Sequence, residues 1–160
     1  MRRADRAFSL YIRTRDSQKF FGMQFQCISC GRILPIEQCD AGHYVNRQHQ
    51  SLRYNEFNVN CQCRHCNRFD EGNMQGYRQG LVEKHGELTV KQLEGAKRIS
   101  VKRTTGDFLL IERVYKDLTK AFTYQIKWNL ILTNHSDCRF FLPAFLYSTF
   151  PSCFWAAVTF

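Results

Sequence analysis

Apolar residues recur three and four positions apart in four stretches of this chain, and the segment between the first two follows no such period. Phe8, Tyr11 and Ile12 mark one face of a helix that Asp5 caps and that ends near Asp16, with Arg6, Arg13 and Arg15 on its other faces. Met74, Tyr77, Leu81 and Val82 mark a second helical pattern, which resumes after Cys63 and stops at Gly86. Gly72, Gly76 and Gly80 each weaken that helix by roughly 1 kcal/mol if they lie inside it. Thr89-Val90-Lys91-Gln92 has the form of a capping box and starts a third helix, to about Ile99. A fourth runs from Asp107 to Phe122 and carries Phe108, Ile111, Val114, Tyr115 and Leu118.

The middle segment reads differently. From Phe25 to Tyr44 short apolar runs alternate with turns: a knuckle at Cys27 to Gly31, then Ile33 to Ile36, then Gly42 to Val45. This predicts a two-stranded β element. Arg47 to Asn60 is rich in Asn, Gln and Arg and reads as a loop. The fold class is therefore α+β, a small β core flanked by helices.

A chain of 160 residues supports one domain with its own core. We place that domain at residues 1–122: the N-terminal helix, the core at about 24–86, and C-terminal helices at about 89–122. Residues 123–160 form an apolar, aromatic tail. Phe140 to Phe160 holds no charged residue and approaches the length of a membrane span, yet Pro143, Pro151, Ser148, Thr149 and Ser152 argue against a membrane helix. A buried or poorly ordered tail is the better reading, with a terminus altered by frameshift or truncation as the alternative.

The formal charge of +9 and a pI near 9.3 point to a polyanionic partner, because Lys and Arg facing phosphates release condensed counterions. The N-terminus, Met1 to Arg6, has no apolar run behind its charges, so no signal peptide is expected and the cytoplasm is the expected compartment. In a reducing compartment, paired Cys-x-x-Cys units hold metal rather than form disulfides. Cys27-x-x-Cys30 and Cys63-x-x-Cys66 supply four soft thiolates, which suit a tetrahedral, structural Zn²⁺. Cys61 leaves one alternative open, since Cys61-Gln62-Cys63 could shift the ligand by two residues.

Between the cysteine pairs lie residues suited to phosphodiester hydrolysis, which needs a base, a cation and a scaffold to align them. His43 is the candidate base, because an imidazole with a pKa near ~6.5 is largely neutral at pH 7. Asp40 and Asn67 offer a carboxylate and an amide oxygen, an adequate protein share for Mg²⁺ or Mn²⁺. Asn58 is expected to accept from one imidazole nitrogen and so fix the tautomer of His43. Arg47, Arg53, Arg64 and Arg68 lie close in sequence and are the candidate phosphate contacts. No organic cofactor is expected.

These residues resemble a known family. Cys27-x-x-Cys30, Gly42-His43, Asn58 and Cys63-x-x-Cys66-Asn67 look like the HNH (ββα-metal, His-Me finger) endonucleases in their zinc-supported form. Cys27-Ile28-Ser29-Cys30-Gly31, Asp40-Ala41-Gly42-His43-Tyr44, Leu52-Arg53-Tyr54-Asn55-Glu56 and Gln62-Cys63-Arg64 look more closely like the NinG (Rap) recombination endonucleases of lambdoid phages. The resemblance covers roughly residues 5 to 120. It implies a zinc-supported ββα-metal core and a phage- or prophage-encoded endonuclease, working in the bacterial host cell on branched DNA such as Holliday junctions or D-loops. Resolving a junction takes two cuts, which favours a homodimer by symmetry. The alternatives are a zinc ribbon that binds nucleic acid without cutting it, and a nuclease made defective by its C-terminus.

Overall fold

A computed structural model describes residues 1–134. The stretch from Phe140 to Phe160, with the readings of a buried, membrane or altered tail, lies outside the described residues. Among them, no helix is long and apolar enough to cross a membrane.

Helix α1 spans Arg2–Ser17 and begins ahead of the expected cap. Asp5 lies inside its first turn, and its carboxylate is taken by Arg53 and Tyr54 rather than by backbone N–H groups. The buried stripe of α1, Ala4, Phe8, Tyr11 and Ile12, packs with Tyr54 and Val59 against Phe108, Ile111, Tyr115, Leu118 and Phe122 of helix α4. Helix α4, Thr105–Asn134, starts at a reciprocal pair: Thr104 N–H donates to Asp107 Oδ2 at 2.6 Å and Asp107 N–H donates to Thr104 Oγ1 at 3.3 Å. It continues past Phe122 without a break, so the boundary expected at residue 122 falls inside one helix.

The single β element expected between Phe25 and Tyr44 is two separate antiparallel pairs. Strands β1, Gln24–Gln26, and β2, Ile33–Pro35, pair across the Cys27–Gly31 knuckle. Strand β3, Cys39–His43, pairs with β4, Val59–Cys63, across the long polar loop, with Asp40 opposite Gln62 and Gly42 opposite Asn60. Every residue of β4 is buried although Asn60 and Gln62 are polar. Their amides are satisfied inside: Asn60 Nδ2 donates to the Phe57 carbonyl at 3.2 Å, and Gln62 Nε2 donates to Ser29 Oγ at 2.7 Å. A scan for apolar alternation cannot see such a strand.

After β4 the chain makes one π-helical turn, His65–Phe69, rather than entering the expected long helix. Glu71, Gly72 and Asn73 then all take positive φ, which ends the turn. Helix α2, Met74–His85, starts afresh with Asn73 accepting from Gly76 N–H at 3.2 Å. Gly86, at φ 83, joins α2 to α3, Glu87–Ala96. The expected start at Thr89 is therefore displaced, and its hydroxyl bonds back to the His85 carbonyl at 2.9 Å. The pair packs Tyr77, Leu81, Val90 and Leu93 against Tyr44, Val45 and Leu52.

The glycines inside α2 are required by close approach. A Cβ at Gly76 would sit 2.2 Å from the Ser29 carbonyl oxygen, and one at Gly80 would sit 2.0 Å from that of Ile28. The helix thus lies directly on the backbone of the cysteine knuckle. Gly80→Ala is expected to cost about 1 to 3 kcal/mol by overpacking, against the usual gain for Ala in a helix. Gly95→Ala in α3, where nothing lies within 4 Å, should stabilise by up to ~1 kcal/mol. Urea midpoints of the two variants should move in opposite directions.

Candidate active site and metal centre

Cys27 follows β1, and the knuckle closes when Gly31 N–H donates to the Cys27 carbonyl at 2.9 Å, with Gly31 at φ 71. Cys63 ends β4 and Cys66 lies in the π turn. The two segments touch because Ile28 N–H donates to the Cys61 carbonyl at 3.0 Å. As a result the sulfurs of Cys27, Cys30, Cys63 and Cys66 all lie within 4.8 Å of one another. The Cys30 and Cys63 sulfurs are 3.9 Å apart. Four sulfurs at about 2.3 Å from a tetrahedral Zn²⁺ would be about 3.8 Å apart, whereas a disulfide needs about 2.05 Å. The quartet fits the metal. Cys61 stands outside it, next to Cys39, so the shifted ligand set is not the one that converges.

Donors point at three of the sulfurs, although burial raises the Cys27 and Cys66 thiols. Cys63 N–H points at Cys27 Sγ at 3.3 Å, Asn73 Nδ2 at Cys66 Sγ at 3.6 Å, and Arg32 Nε at Cys30 Sγ at 3.3 Å. Burial works against the Cys30 thiolate, but the Arg32 guanidinium and neighbouring N–H groups outweigh it and bring this thiol down to about 6.

Asp40 and Asn67 meet beside this cluster. Asn67, in the π turn, donates through Nδ2 to Asp40 Oδ2 at 2.9 Å. Arg68 makes a fork on the same carboxylate, at 2.7 and 2.8 Å. Burial would raise the Asp40 pKa, yet the bonds from Arg68 and Asn67 prevail and hold it below the usual carboxylate range. The Asp40 carboxylate, only 17% exposed, is thus already balanced by a cationic group and lies beside an amide.

His43 is on the other side of the strand. Residues three apart on β3 point to opposite faces, so Asp40 turns toward the π turn while His43 and Ala41 line a cleft against α1. His43 Nε2 lies 3.2 Å from the Arg53 carbonyl oxygen. A carbonyl only accepts, so the proton sits on Nε2 and Nδ1 carries the free lone pair. Burial, and then the charges of Arg53 and Arg47, push the pKa of His43 below its ordinary value, against the pull of the Arg53 and Ala41 carbonyls. The imidazole is neutral at pH 7.

The expected bond from Asn58 to His43 is absent. The fully buried Asn58 amide clamps the loop instead: Oδ1 accepts from Val45 N–H at 2.7 Å, and Nδ2 donates to the Val45 and Leu52 carbonyls at 2.9 and 3.1 Å. Leu52 precedes Arg53, whose carbonyl holds His43, so Asn58 acts on the imidazole through the loop backbone. Tyr77, which the sequence reading took only as core, fixes the hairpin one residue from His43. Its buried hydroxyl donates to the Gly42 carbonyl at 2.8 Å and accepts from Asn60 N–H at 3.0 Å.

The candidate arginines divide. Arg53 is buried in a two-pronged pair with Asp5, both bonds 2.8 Å, and is a structural cation rather than a free phosphate contact. Arg68 is held by Asp40, and Arg64 donates to the Glu37 carbonyl at 2.5 Å. Arg47 is exposed at the mouth of the His43 cleft. Arg6 and Arg13 of α1 join it there, two residues that the sequence places on the other faces of the helix but that were not among the candidate phosphate contacts. The signal was present: Arg2, Arg6, Ser9 and Arg13 recur at i, i+4, i+7 and i+11.

The wild-type chain is expected to carry one zinc. Cys63→Ser should lose it together with the cooperative thermal transition, since structural zinc supplies folding energy, while Cys61→Ser keeps both. Zinc content with circular dichroism melts checks this, and a stable metal-free Cys63→Ser protein would refute the assignment.

A family model described as "Bacteriophage Lambda NinG protein" matches residues 1–124. Over 95 residues the chain is 37% identical to Protein ninG of Escherichia phage lambda, 37% to Protein ninG of Salmonella phage P22 and 36% to Protein ninG of Escherichia phage 933W. These matches take in 59% of this chain, 43% of the first two relatives and 44% of the third. The chain thus aligns with less than half the length of these curated relatives. No solved structure matches it.

Proposed function

This chain belongs to the NinG family, and from that premise we propose that it is a metal-dependent DNA endonuclease of the HNH type acting on branched recombination intermediates. The observation that carries this reading is the state of His43: a neutral imidazole with Nε2 tied to a carbonyl and Nδ1 left as acceptor, on the same short strand as the Asp40–Asn67 pair. In this reading β3, β4 and the π turn make up the ββα-metal unit.

His43 Nδ1 takes a proton from the attacking water as its oxygen bonds to phosphorus, while the bond from phosphorus to the leaving oxygen breaks and that oxygen takes a proton from solvent. The Arg53 carbonyl holds the ring in place and stabilises the imidazolium that forms. Asp40 and Asn67 would hold Mg²⁺ or Mn²⁺, which would supply stabilisation of the negative charge that develops on the reacting phosphate. Because β3 pairs only with β4 among the described residues, its outer edge has no partner strand. In this reading the phosphodiester crosses that edge, with His43 on one face of β3 and the Asp40–Asn67 pair on the other. Branched DNA as substrate, and a homodimer to make two cuts, rest on the family resemblance and on symmetry.

His43→Ala should lower kcat about 10²- to 10⁴-fold, the usual share of a general base, while zinc content and DNA binding stay at wild-type levels. The assay is cleavage of a four-way junction, a flap and a linear duplex of one sequence with Mg²⁺ or Mn²⁺. If the unmutated protein cuts none of them, the reading fails and a zinc module that only binds nucleic acid takes its place.

The pH profile gives a separate check. The base must be unprotonated, so kcat/KM rises with pH through the His43 pKa. Burial and the Arg53 and Arg47 charges lower that pKa, which places the acid limb below ~6.5, the ordinary imidazole value. A midpoint above that value would exclude His43, as this structure holds it, from the role of base.

A further inference from the structure

The cleft in which His43 lies has a volume of about 370 Å³, and α1 forms one wall and the loop after β3 the other. Its single carboxylate, Asp5, is fully engaged by Arg53 at 2.8 Å and by the Tyr54 hydroxyl at 2.8 Å. Its remaining cations are not neutralised. Arg6 and Arg47 are exposed and make no side-chain hydrogen bond or ion pair among the described residues. Arg13 donates from Nη2 to the Ile36 carbonyl at 3.1 Å, and its Nε is buried with no partner. Like charges gathered in a part-enclosed cleft repel, and the arrangement is relieved when an anion enters.

The shape says which anion. Ser9 and Ala41, both small, line the cleft together with the arginines. Outside the cleft the cations continue along α1, where Arg2 shares the stripe of Arg6 and Arg13. At 1.5 Å per residue, Arg2 to Arg13 spans about 16 Å. Successive phosphates of a strand advance about 3.4 Å along a duplex axis, so the stripe faces several of them. A lone phosphate ion would meet only one end of it.

We propose that the backbone of a DNA strand lies along this cleft, with Arg6 and Arg47 on phosphates either side of His43 and Arg13 beneath them. The inference rests on the nuclease reading above and adds the path of the strand, carried by α1 rather than by the candidate arginines near Asn67.

The test is fluorescence anisotropy of labelled single-stranded and duplex DNA across a salt series, without added Mg²⁺ or Mn²⁺. The variants are Arg6→Ala, Arg47→Ala and their double, with Lys127→Ala on the exposed side of α4 as control. Each arginine variant should lower the slope of log K against log salt by ~0.9 on duplex or ~0.7 on single strands. The double should lose the sum, and Lys127→Ala should change nothing. Both arginines are surface residues, and retained zinc verifies that the variants fold.

An unchanged slope in the double variant overturns the proposal, as does an equal loss in Lys127→Ala, which would mean diffuse charge. RNA of the same sequence bound more tightly than DNA, with the same loss of slope, would overturn the choice of DNA. The two readings fail separately. Absent cleavage with a reduced slope sinks the nuclease and leaves the strand path standing. His43-dependent cleavage with an unchanged slope does the reverse.

Discussion

The convergence of four cysteine sulfurs within 4.8 Å of one another is the constraint on which the rest of the structure depends. Strands of three and five residues in two-stranded sheets do not hold together alone in water. The knuckle and the end of β4 are far apart in sequence, and they meet where Cys27, Cys61, Cys63 and Cys66 pack with Phe25, Leu34 and Ile36. Joined through the thiolates they become one surface, and α2 lies on that surface closely enough that Gly76 and Gly80 admit no side chain. The same junction sets where the π turn begins, and so where Asn67 comes to face Asp40.

Away from the sulfurs, buried polar groups hold the site together with the apolar packing of Tyr44, Val45, Leu52, Tyr54 and Val59. Asn58 ties the two ends of the loop together with three side-chain bonds, and Tyr77 bonds both members of the Gly42–Asn60 pair. Such groups are costly if any one is left unpaired, since a buried orphan donor or acceptor costs about 1 to 3 kcal/mol. They also leave little freedom: the loop has one arrangement that satisfies them all, and in it the Arg53 carbonyl meets His43. This is how a polar loop on a small scaffold places an imidazole with a defined tautomer.

The sequence made part of this legible. Cysteine spacing picked out the four residues whose sulfurs converge on a site able to hold a metal. The apolar period located α1 and the first part of α4. What failed has a common cause in side chains whose partners lie far away in sequence. β4 is buried with amides satisfied across the fold, so its pattern reads as loop. Arg53 looks like a surface cation until Asp5, forty-eight residues earlier, takes its guanidinium. Asn58 was assigned to the right neighbourhood but to the wrong partner, since nothing in its sequence context distinguishes a bond to a ring from one to a loop carbonyl. The α2 glycines read as defects because the carbonyls they accommodate lie in the knuckle.

The two faces of β3 carry opposite electrostatic problems, and each is solved locally. On one face a carboxylate must be balanced, and the Arg68 fork does so with two charge-assisted bonds. A divalent ion that binds there has to replace those bonds, and in doing so it releases a guanidinium that is already more than half exposed, at 55%. On the other face the carboxylate is locked to Arg53 and the surplus is cationic. Placing the metal-type ligands and the arginine cleft together on one face would let them neutralise each other as ion pairs. Strand alternation puts them on opposite faces of β3, so the Asp40–Arg68 pair and the cationic cleft do not neutralise each other.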